Sequence, residues 1–479
     1  MFKKLDSVIL ERLRRIVGAA DVLIDPERIQ DYSHDEFSLS DIRRMPEAVV
    51  RPETREAVAA VLKLASSERL PVTPRGGATG LCGGCVPSFG GIVLSLEKMN
   101  RIVDIDRDNQ MAVVEPGVTL RDFVAAVEQA GLAFPPHPGD ESAMMGGLVA
   151  TNAGGSRAVK YGGIRNYVRG LEVVIPRGDT IRLGGKLLKS STGYSLLHLM
   201  IGSEGTLGVI TQATIQLLPA APRTRSLVIP FDDIRSAIGA VPGLSGRGIQ
   251  PLAVEFIERE VIRITEDHLN LRWPTTAGRT CLLIILDASS DEEMDRLSQS
   301  VAEVCLEAGA LDVFVADTPK KQNTVLEIRS KIYDAIKSQT IEILDISIPR
   351  AEIPGHVERV REVSGRQGMW LPTFGHAADG NVHTHIMKAR YDDGRMVPLP
   401  EDEWRPKFEA VRRELYADGL ERGGVISGEH GIGLVKKPFL SLALGPVQID
   451  LMRGIKRLFD PDGILNPGKI FDPGPGAAA

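Results

Sequence analysis

Glycine is distributed unevenly along this chain, and its clusters restrict the fold of the first half more than any other feature. Three glycine-rich loops lie at 76–91, 139–163 and 193–208, among short Val/Ile/Leu strands such as those at 91–96 and 111–114. Glycine permits backbone conformations and close approaches that a Cβ would prevent. The first half is therefore predicted to be a sheet-rich domain whose loops make close backbone approaches.

The first of these loops has the composition of an anion-binding turn. It reads Arg-Gly-Gly-Ala-Thr-Gly over 75–80 and follows an apolar stretch at 70–72. Successive backbone N–H groups in such a loop can point at one pyrophosphate. It is not a P-loop, because no Gly-Lys-Ser/Thr follows, and the third loop lacks the GxGxxG spacing. Each loop alone is equally compatible with a tight structural turn, but three in one domain favour a ligand site.

The residue pattern changes near residue 222. Beyond it, strand-like and helix-like segments alternate, and the second helix opens with the capping residues Ser289 and Ser290. Two successive βαβ patterns are typical of a ferredoxin-like α+β sandwich. The predicted segments are strands at 226–230, 252–257, 281–286 and 311–315 and helices at 232–240 and 291–308.

Composition and charge narrow the classes of function. The chain has 479 residues, enough for more than one core. Its formal net charge of −6 gives no basis for a nucleic-acid partner. No apolar run reaches the roughly 18 residues that span a bilayer. The N-terminal segment is amphipathic, and charged residues interrupt it where a signal peptide would need an apolar centre. The chain has four cysteines, Cys82, Cys85, Cys281 and Cys305. So low a number favours a reduced, cytoplasmic setting, and their spacing cannot hold an iron–sulfur cluster.

Histidines cluster in the second half of the chain. His376, His383 and His385 flank Asp379-Gly380, a strong signal for a two-residue hairpin turn. Such a turn would pair His376 directly with His383, with Cβ atoms about 4.5–5.5 Å apart, and His385 would share their side. Two imidazoles in this arrangement suit a divalent ion. A surface hairpin with incidental histidines is the alternative.

Two further segments carry candidate side chains. Glu429-His430 lies between glycines that free the backbone to aim both side chains in one direction, although a plain loop after the predicted helix 407–420 is the alternative. Arg329 ends the run Val-Leu-Glu-Ile-Arg and offers a fork that suits a carboxylate. Without other information, Arg329 reads better as a solvated helix charge.

The three glycine loops at 75–84, 138–155 and 201–211, with the ending at 460–471, resemble the vanillyl-alcohol oxidase/PCMH flavoprotein superfamily. The greatest similarity is to the branch with D-lactate dehydrogenase, the glycolate oxidase flavin subunit and D-2-hydroxyglutarate dehydrogenase. It implies an α+β fold with a PCMH-type FAD-binding domain, a ferredoxin-like substrate (cap) domain and a C-terminal helical segment. The residues that it implies for FAD are Arg75, Gly76, Gly77, Thr79, Gly80, Ser142, Gly146, Gly147, Asn152, Gly155, Gly205, Ile210 and Asn466.

The resemblance also sets expected boundaries and chemistry. We expect an N-terminal helical segment (1–41), the FAD-binding domain (42–221), the substrate domain with its metal site (222–435), a returning segment (436–471) and a disordered tail (472–479). The first loop lacks the histidine that tethers FAD in some relatives, so non-covalent FAD and two free thiols in the CxxC are implied. The implied metal ligands for zinc, manganese or iron are His376, His383 and Glu429, with His430 as general base and Arg329 binding the substrate carboxylate.

The implied reaction is oxidation of a small D-2-hydroxy acid to the 2-oxo acid. Its electrons would pass to an external acceptor: an electron-transfer flavoprotein, a quinone, a cytochrome or an iron–sulfur protein. Peripheral membrane attachment through a partner and a homo-oligomer stay open. The alternatives are a D-2-hydroxyglutarate dehydrogenase, a non-redox enzyme like alkylglycerone-phosphate synthase and a non-catalytic electron-transfer or scaffold subunit.

The stretch 338–349 bears on substrate size. It contains no Lys or Arg and contributes Glu342, which we expect to repel the distal carboxylate of a dicarboxylate substrate. Arg350 follows directly and would weaken this argument if its side chain turned inward. The sequence therefore favours D-lactate or glycolate over D-2-hydroxyglutarate.

Overall fold

The computed structural model describes residues 2–220 and 223–472. The chain divides into two compact units. The first unit comprises Met1–Gly154, Gly163–Ala220 and Glu429–Ala479, and the second comprises Gly155–Gly162 and Ala221–Gly428. The second unit ends before the predicted limit at residue 435, and residues 473–479 of the predicted disordered tail lie outside the described residues. No helix within the described ranges is long and apolar enough to cross a membrane.

The first unit contains two main sheets. One is a four-stranded sheet in which three strands run parallel, in the order Val22–Leu23, Ala48–Val50, Ile92–Ser95 and Val72–Arg75. The other is antiparallel, in the order Ile102–Asp106, Met111–Val114, Val209–Gln216, Val168–Val174 and Thr180–Gly184. A short pair joins Leu132–Ala133 to Leu218–Pro219.

Helices cover the parallel sheet of the first unit. The helix Ser7–Val17 is capped by Asp6 and turns Ile9 and Leu13 into the core, as its predicted helical spacing requires. It packs beside Arg55–Glu68, whose apolar face shares that core. The remaining helices of this unit are Pro26–Ile29, Leu120–Gln129, Met145–Thr151, Leu196–Met200, Leu440–Ala443 and Pro446–Phe459.

The second unit is built on a seven-stranded antiparallel sheet. Its first four strands pair in the order fourth, first, third, second, which is the ferredoxin-like order that the sequence predicts. Three later strands extend the sheet and include the histidine hairpin. The full order is Phe314–Ala316, Arg223–Phe231, Thr280–Ala288, Ala253–Glu258, Thr373–His376, Asn381–Met387 and Thr340–Ser347.

Helices of the second unit begin close to their sequence signals. The helix Asp291–Glu307 is capped by the Ser290 side chain, as predicted. The strand predicted at 311–315 is shorter, Phe314–Ala316, and the helix predicted at 407–420 is longer, Glu401–Glu421. A separate hairpin joins Ala389–Asp392 to Arg395–Pro398. The other helices are Ala158–Tyr161, Ile234–Gly246, Arg259–Leu269, Pro319–Ser330, Ile332–Ile336 and Ile353–Gln367.

Candidate functional site

The first and second glycine loops meet in the first unit. A Cβ built on Gly77 would lie 3.0 Å from the carbonyl oxygen of Ser142, and one on Gly76 would lie 3.5 Å from the Cβ of Met144. Gly146 sits so close to Pro116 that a Cβ there would collide with it. The missing side chain at Gly77 lets the first loop approach the second this closely.

Asn466 joins the first and third loops. Its side-chain amide donates to the carbonyl oxygens of Gly84 (2.9 Å) and Glu204 (2.8 Å). Its Oδ1 is buried and accepts no hydrogen bond within the described residues. Backbone-lined glycine loops suit a phosphate group, and the buried Asn466 oxygen suits a hydroxyl or amine donor of the same cofactor. The predicted residues of this unit therefore fit FAD.

Several other predicted cofactor residues have contacts within the protein. The Arg75 guanidinium donates to the carbonyl oxygens of His34 (2.6 Å) and Asp31 (2.8 Å), so it anchors the N-terminal segment. Ile210 is buried in a strand of the antiparallel sheet. Gly155 opens the segment Gly155–Gly162, which is grouped with the second unit. The first unit contains the other predicted cofactor residues, Gly76, Gly77, Thr79, Gly80, Ser142, Gly146, Gly147, Asn152, Gly205 and Asn466.

The CxxC is not a disulfide. Cys82 and Cys85 are free thiols, as expected. Burial raises the pKa of Cys85 to about 11, and its sulfur accepts a hydrogen bond from Arg75 at 3.4 Å. A thiol with so high a pKa is a poor nucleophile and metal ligand near neutral pH.

The predicted register of the histidine hairpin is wrong. His376 pairs with Asn381, and His383 pairs with Phe374, because the turn comprises four residues, 377–380, rather than Asp379-Gly380 alone. The partner of His376 is therefore two residues earlier in the chain than predicted. Because side chains alternate between the two sides of a strand, a shift of two residues leaves His383 on the same side of the sheet as His376. The rings of His376 and His383 consequently still meet, with centroids 5.3 Å apart.

An acidic residue on a neighbouring strand lies beside each of these histidines, and the one beside His376 is within hydrogen-bond distance of its ring. Nδ1 of His376 lies 2.6 Å from Glu255, and Nδ1 of His383 lies 3.9 Å from Asp345. Asp345 also accepts hydrogen bonds from Asn381 (2.7 Å) and from the Ser427 hydroxyl (2.8 Å). Metal-binding histidines are commonly oriented by a carboxylate on the second ring nitrogen. Among the described residues, Asp345 and His383 belong to a group of side chains that could hold a metal ion, with ligand atoms within 4.8 Å of one another, and His376 is not in that group.

Arg329 shares the carboxylate that holds His376. It lies in the last turn of Pro319–Ser330 and donates from Nε to Glu255 at 2.9 Å, while its guanidinium lies over the Phe374 ring. Burial would raise the pKa of Glu255, but His376 and Arg329 outweigh burial and lower that pKa to about 2. Glu255 is therefore a buried anion at neutral pH.

Glu342 does not lie on the histidine face. It alternates with Ile343 and Asp345 along Thr340–Ser347 and points to the opposite side of the sheet. There its carboxylate is paired with Arg412 (2.8 Å). The predicted repulsion between Glu342 and a distal carboxylate is wrong for this reason. The histidine-facing residue with a carboxylate on this strand is Asp345.

Glu429 and His430 begin the return of the chain into the first unit. The next two backbone N–H groups, of Ile432 and Gly433, donate to the Glu204 carboxylate at 2.8 and 2.7 Å. The Glu429 carboxylate lies against Gly154, where a Cβ would collide with it. Glu204 and Gly154 thus fix the loop that carries both predicted side chains.

Sequence reasoning missed Glu255, Asp345 and Glu204. The available signal was an acid within an otherwise apolar strand, as in Ala-Val-Glu-Phe-Ile over 253–257 and Ile-Leu-Asp-Ile over 343–346. A buried carboxylate requires partners, so such an acid points to a polar cluster. Glu204, in a loop, gave no comparable signal.

Family models match both halves of the chain. A model described as "FAD binding domain" matches residues 46–184, and one described as "FAD linked oxidases, C-terminal domain" matches residues 220–470. D-lactate dehydrogenase of Anaerostipes hadrus is 40% identical and covers 98% of both chains. D-lactate dehydrogenase of Archaeoglobus fulgidus is 45% identical over 88% of this chain and 90% of that protein. Glycolate oxidase subunit GlcD of Bacillus subtilis is 36% identical over 92% of each.

Solved structures show the same fold at lower identity. p-Cresol methylhydroxylase is 18% identical, with a TM-score of 0.78 over 98% of this chain and 99% of that one. Alkyldihydroxyacetonephosphate synthase is also 18% identical, with a TM-score of 0.75 over 98% of this chain and 86% of that one. At this identity the likeness concerns the fold alone.

Proposed function

Because the chain belongs to the FAD-linked oxidases, in the D-2-hydroxyacid dehydrogenase branch of the vanillyl-alcohol oxidase/PCMH superfamily, we propose that it oxidises D-lactate or glycolate to the 2-oxo acid. It is an FAD-dependent oxidoreductase that acts on hydroxyacids. The observation that carries the choice of a short acid is the Arg329 guanidinium, held by the buried acid Glu255 beside His376. Anaerobic addition of D-lactate, scored by loss of oxidised-flavin absorbance, tests the proposal.

Arg329 binds the substrate carboxylate in this proposal. Its Nε and one terminal nitrogen donate to a single oxygen of Glu255, and its side chain is 21% exposed. The guanidinium has five N–H donors in a rigid fork, so a second carboxylate can be bound by another edge. Two parallel charge-assisted bonds would fix how the substrate is oriented.

His376, His383 and Glu429 are the proposed ligands of one divalent ion: zinc, manganese or iron. Imidazole and carboxylate ligands suit all three metals. When bound, such an ion lowers the pKa of a substrate hydroxyl as a Lewis acid. Glu255, 2.6 Å from Nδ1 of His376, orients that ring for this role.

His430 removes the hydroxyl proton. An imidazole suits this step because its ordinary pKa lies near neutral pH. FAD held by the glycine loops of the first unit would supply the acceptor for the hydride of the substrate Cα, and the product would be the 2-oxo acid. We propose that the electrons then pass to an external acceptor, because the four cysteines cannot form a cluster of their own.

FAD should be released intact when the protein is denatured in acid. The first glycine loop has Ala78 and Thr79 where a tethering histidine stands in some relatives. Precipitation with acid followed by absorbance of the supernatant measures the released fraction, which we expect to be nearly complete. Flavin that stays with the precipitated chain would contradict the prediction.

D-lactate should be preferred over D-2-hydroxyglutarate by on the order of 100-fold in kcat/KM, since an unpaired desolvated carboxylate costs about 3 kcal/mol. The histidine face of Thr340–Ser347 carries Ile343 and Asp345 and no cation, and Arg350 is exposed beyond it. The measurement uses both substrates on one preparation, with L-lactate as the stereochemical control. A ratio that favours the dicarboxylate would identify a D-2-hydroxyglutarate dehydrogenase instead.

A further inference from the structure

Glu255 is a buried acid that the proposed reaction does not use directly. It lies in the strand Ala253–Glu258, where its neighbours Val254 and Phe256 belong to the hydrophobic core. Its exposed fraction is 1%. A charge in such a place is strongly destabilising unless it is paired and hydrogen-bonded. The position of Glu255 therefore depends on its two partners.

Each oxygen of Glu255 has a different partner. One lies 2.6 Å from Nδ1 of His376, and the other accepts from Nε of Arg329 at 2.9 Å and from a terminal nitrogen of the same guanidinium. The partners come from different elements, since His376 ends the adjacent strand and Arg329 lies in the last turn of a helix. We propose that Glu255 is a positioning residue that orients the metal-binding ring of His376 and the substrate-binding fork of Arg329 together. This inference rests on the proposed function.

The shared carboxylate has a chemical consequence for both partners. An acceptor at Nδ1 fixes the proton on that nitrogen and directs Nε2 of His376 to a metal ion. The same carboxylate fixes the orientation of the Arg329 guanidinium and neutralises its positive charge. Binding of the ion and binding of the substrate carboxylate are thereby coupled through one side chain.

Replacing Glu255 by glutamine tests this coupling. The glutamine side chain has one carbonyl oxygen, so it can accept from His376 or from Arg329 but not from both. Its NH2 group would then point a hydrogen at the donor of the other partner. In E255Q loaded with FAD, we expect Zn²⁺ affinity to fall about 10- to 100-fold. We also expect KM for D-lactate to rise about tenfold, as loss of one oriented charge-assisted bond predicts. Competition with a chromophoric chelator measures the first quantity without any turnover.

Glu342→Gln is the matched control. Glu342 is equally buried in the same sheet and also pairs with an arginine, Arg412, but it faces away from the histidines. We expect this variant to lose stability comparably while keeping wild-type Zn²⁺ affinity and KM. If E255Q does not fold, Glu255→Asp keeps the charge but is too short to reach both partners, and it should still weaken both quantities severalfold.

The outcomes separate this inference from the proposed function. Loss of both Zn²⁺ affinity and substrate affinity in E255Q, but not in E342Q, supports the positioning role. Loss of only one of them, or equal losses in E342Q, overturns it. A wild-type protein that binds no Zn²⁺ and is not reduced by a hydroxy acid rejects the proposed function instead.

Discussion

Replacing His430 by glutamine should lower the rate of flavin reduction by D-lactate about 10²- to 10⁴-fold, the usual contribution of a positioned general base. Glutamine keeps the length and polarity of the side chain but cannot take a proton. The loop should keep its shape, because Glu204 holds the backbone N–H groups of Ile432 and Gly433 and the φ of Gly431 is +84°. Anaerobic stopped-flow measurement of flavin absorbance gives the rate.

The pH dependence provides a second readout for His430. A base that must be neutral loses activity as the pH falls below its pKa, so kcat/KM of the wild type should decline on the acidic side. The variant should lack that decline. His268→Gln, at an exposed position of the helix Arg259–Leu269, is the control and should retain the wild-type rate and profile. A rate for H430Q within threefold of wild type would assign the proton transfer to another group.

The side of the sheet on which the histidines lie could be predicted from the sequence, whereas the pairing register of their hairpin could not. Period-two alternation fixes which residues share a side, so an error of two residues in the turn left His376 and His383 together. The turn length itself was not readable from Asp379-Gly380. Gly380 approaches the carbonyl oxygen of Ile348 too closely for any Cβ, and Ile348, which follows the strand Thr340–Ser347, is distant in sequence from the turn.

Alternation alone could not have corrected the expectation for Glu342. Glu342 and Asp345 have opposite parity in one strand, so they had to face opposite sides. Which side carries the histidines depends on how Asn381–Met387 pairs with Thr340–Ser347, a long-range contact that local patterns do not encode. The partner of Glu342, Arg412, lies on a helix far along the chain.

The glycine loops could be identified from sequence, whereas their mutual contacts could not. Each loop is marked locally by its glycines, but the contact of Gly77 with Ser142 and the bonds from Asn466 to two loops join distant segments. Arg75 illustrates the limit of residue-by-residue transfer. It stands in the right loop, yet its guanidinium is used by carbonyl groups of the N-terminal segment.

Removing the proposed divalent ion should abolish most D-lactate-dependent flavin reduction and leave FAD bound. The loss should exceed about 100-fold, because the ion supplies several kcal/mol of charge stabilisation to the developing alkoxide. FAD should stay bound because most of its proposed residues lie in the first unit. The proposed metal ligands His376 and His383 lie in the second unit. Dialysis against a strong chelator, followed by metal analysis, flavin absorbance and an anaerobic reduction assay, measures all three quantities.

A histidine variant should reproduce the effect of the chelator. His383→Ala removes one proposed ligand, so the purified protein should contain less than one tenth of the wild-type metal and full FAD. His356→Gln is the matched control, because His356 is also buried and its Nδ1 also lies 2.6 Å from a carboxylate, that of Asp418 on a helix. That variant should keep its metal even if its stability falls. Unchanged turnover in protein shown to be metal-free would remove the ion from the reaction and leave His430 and Arg329 as its only proposed protein groups.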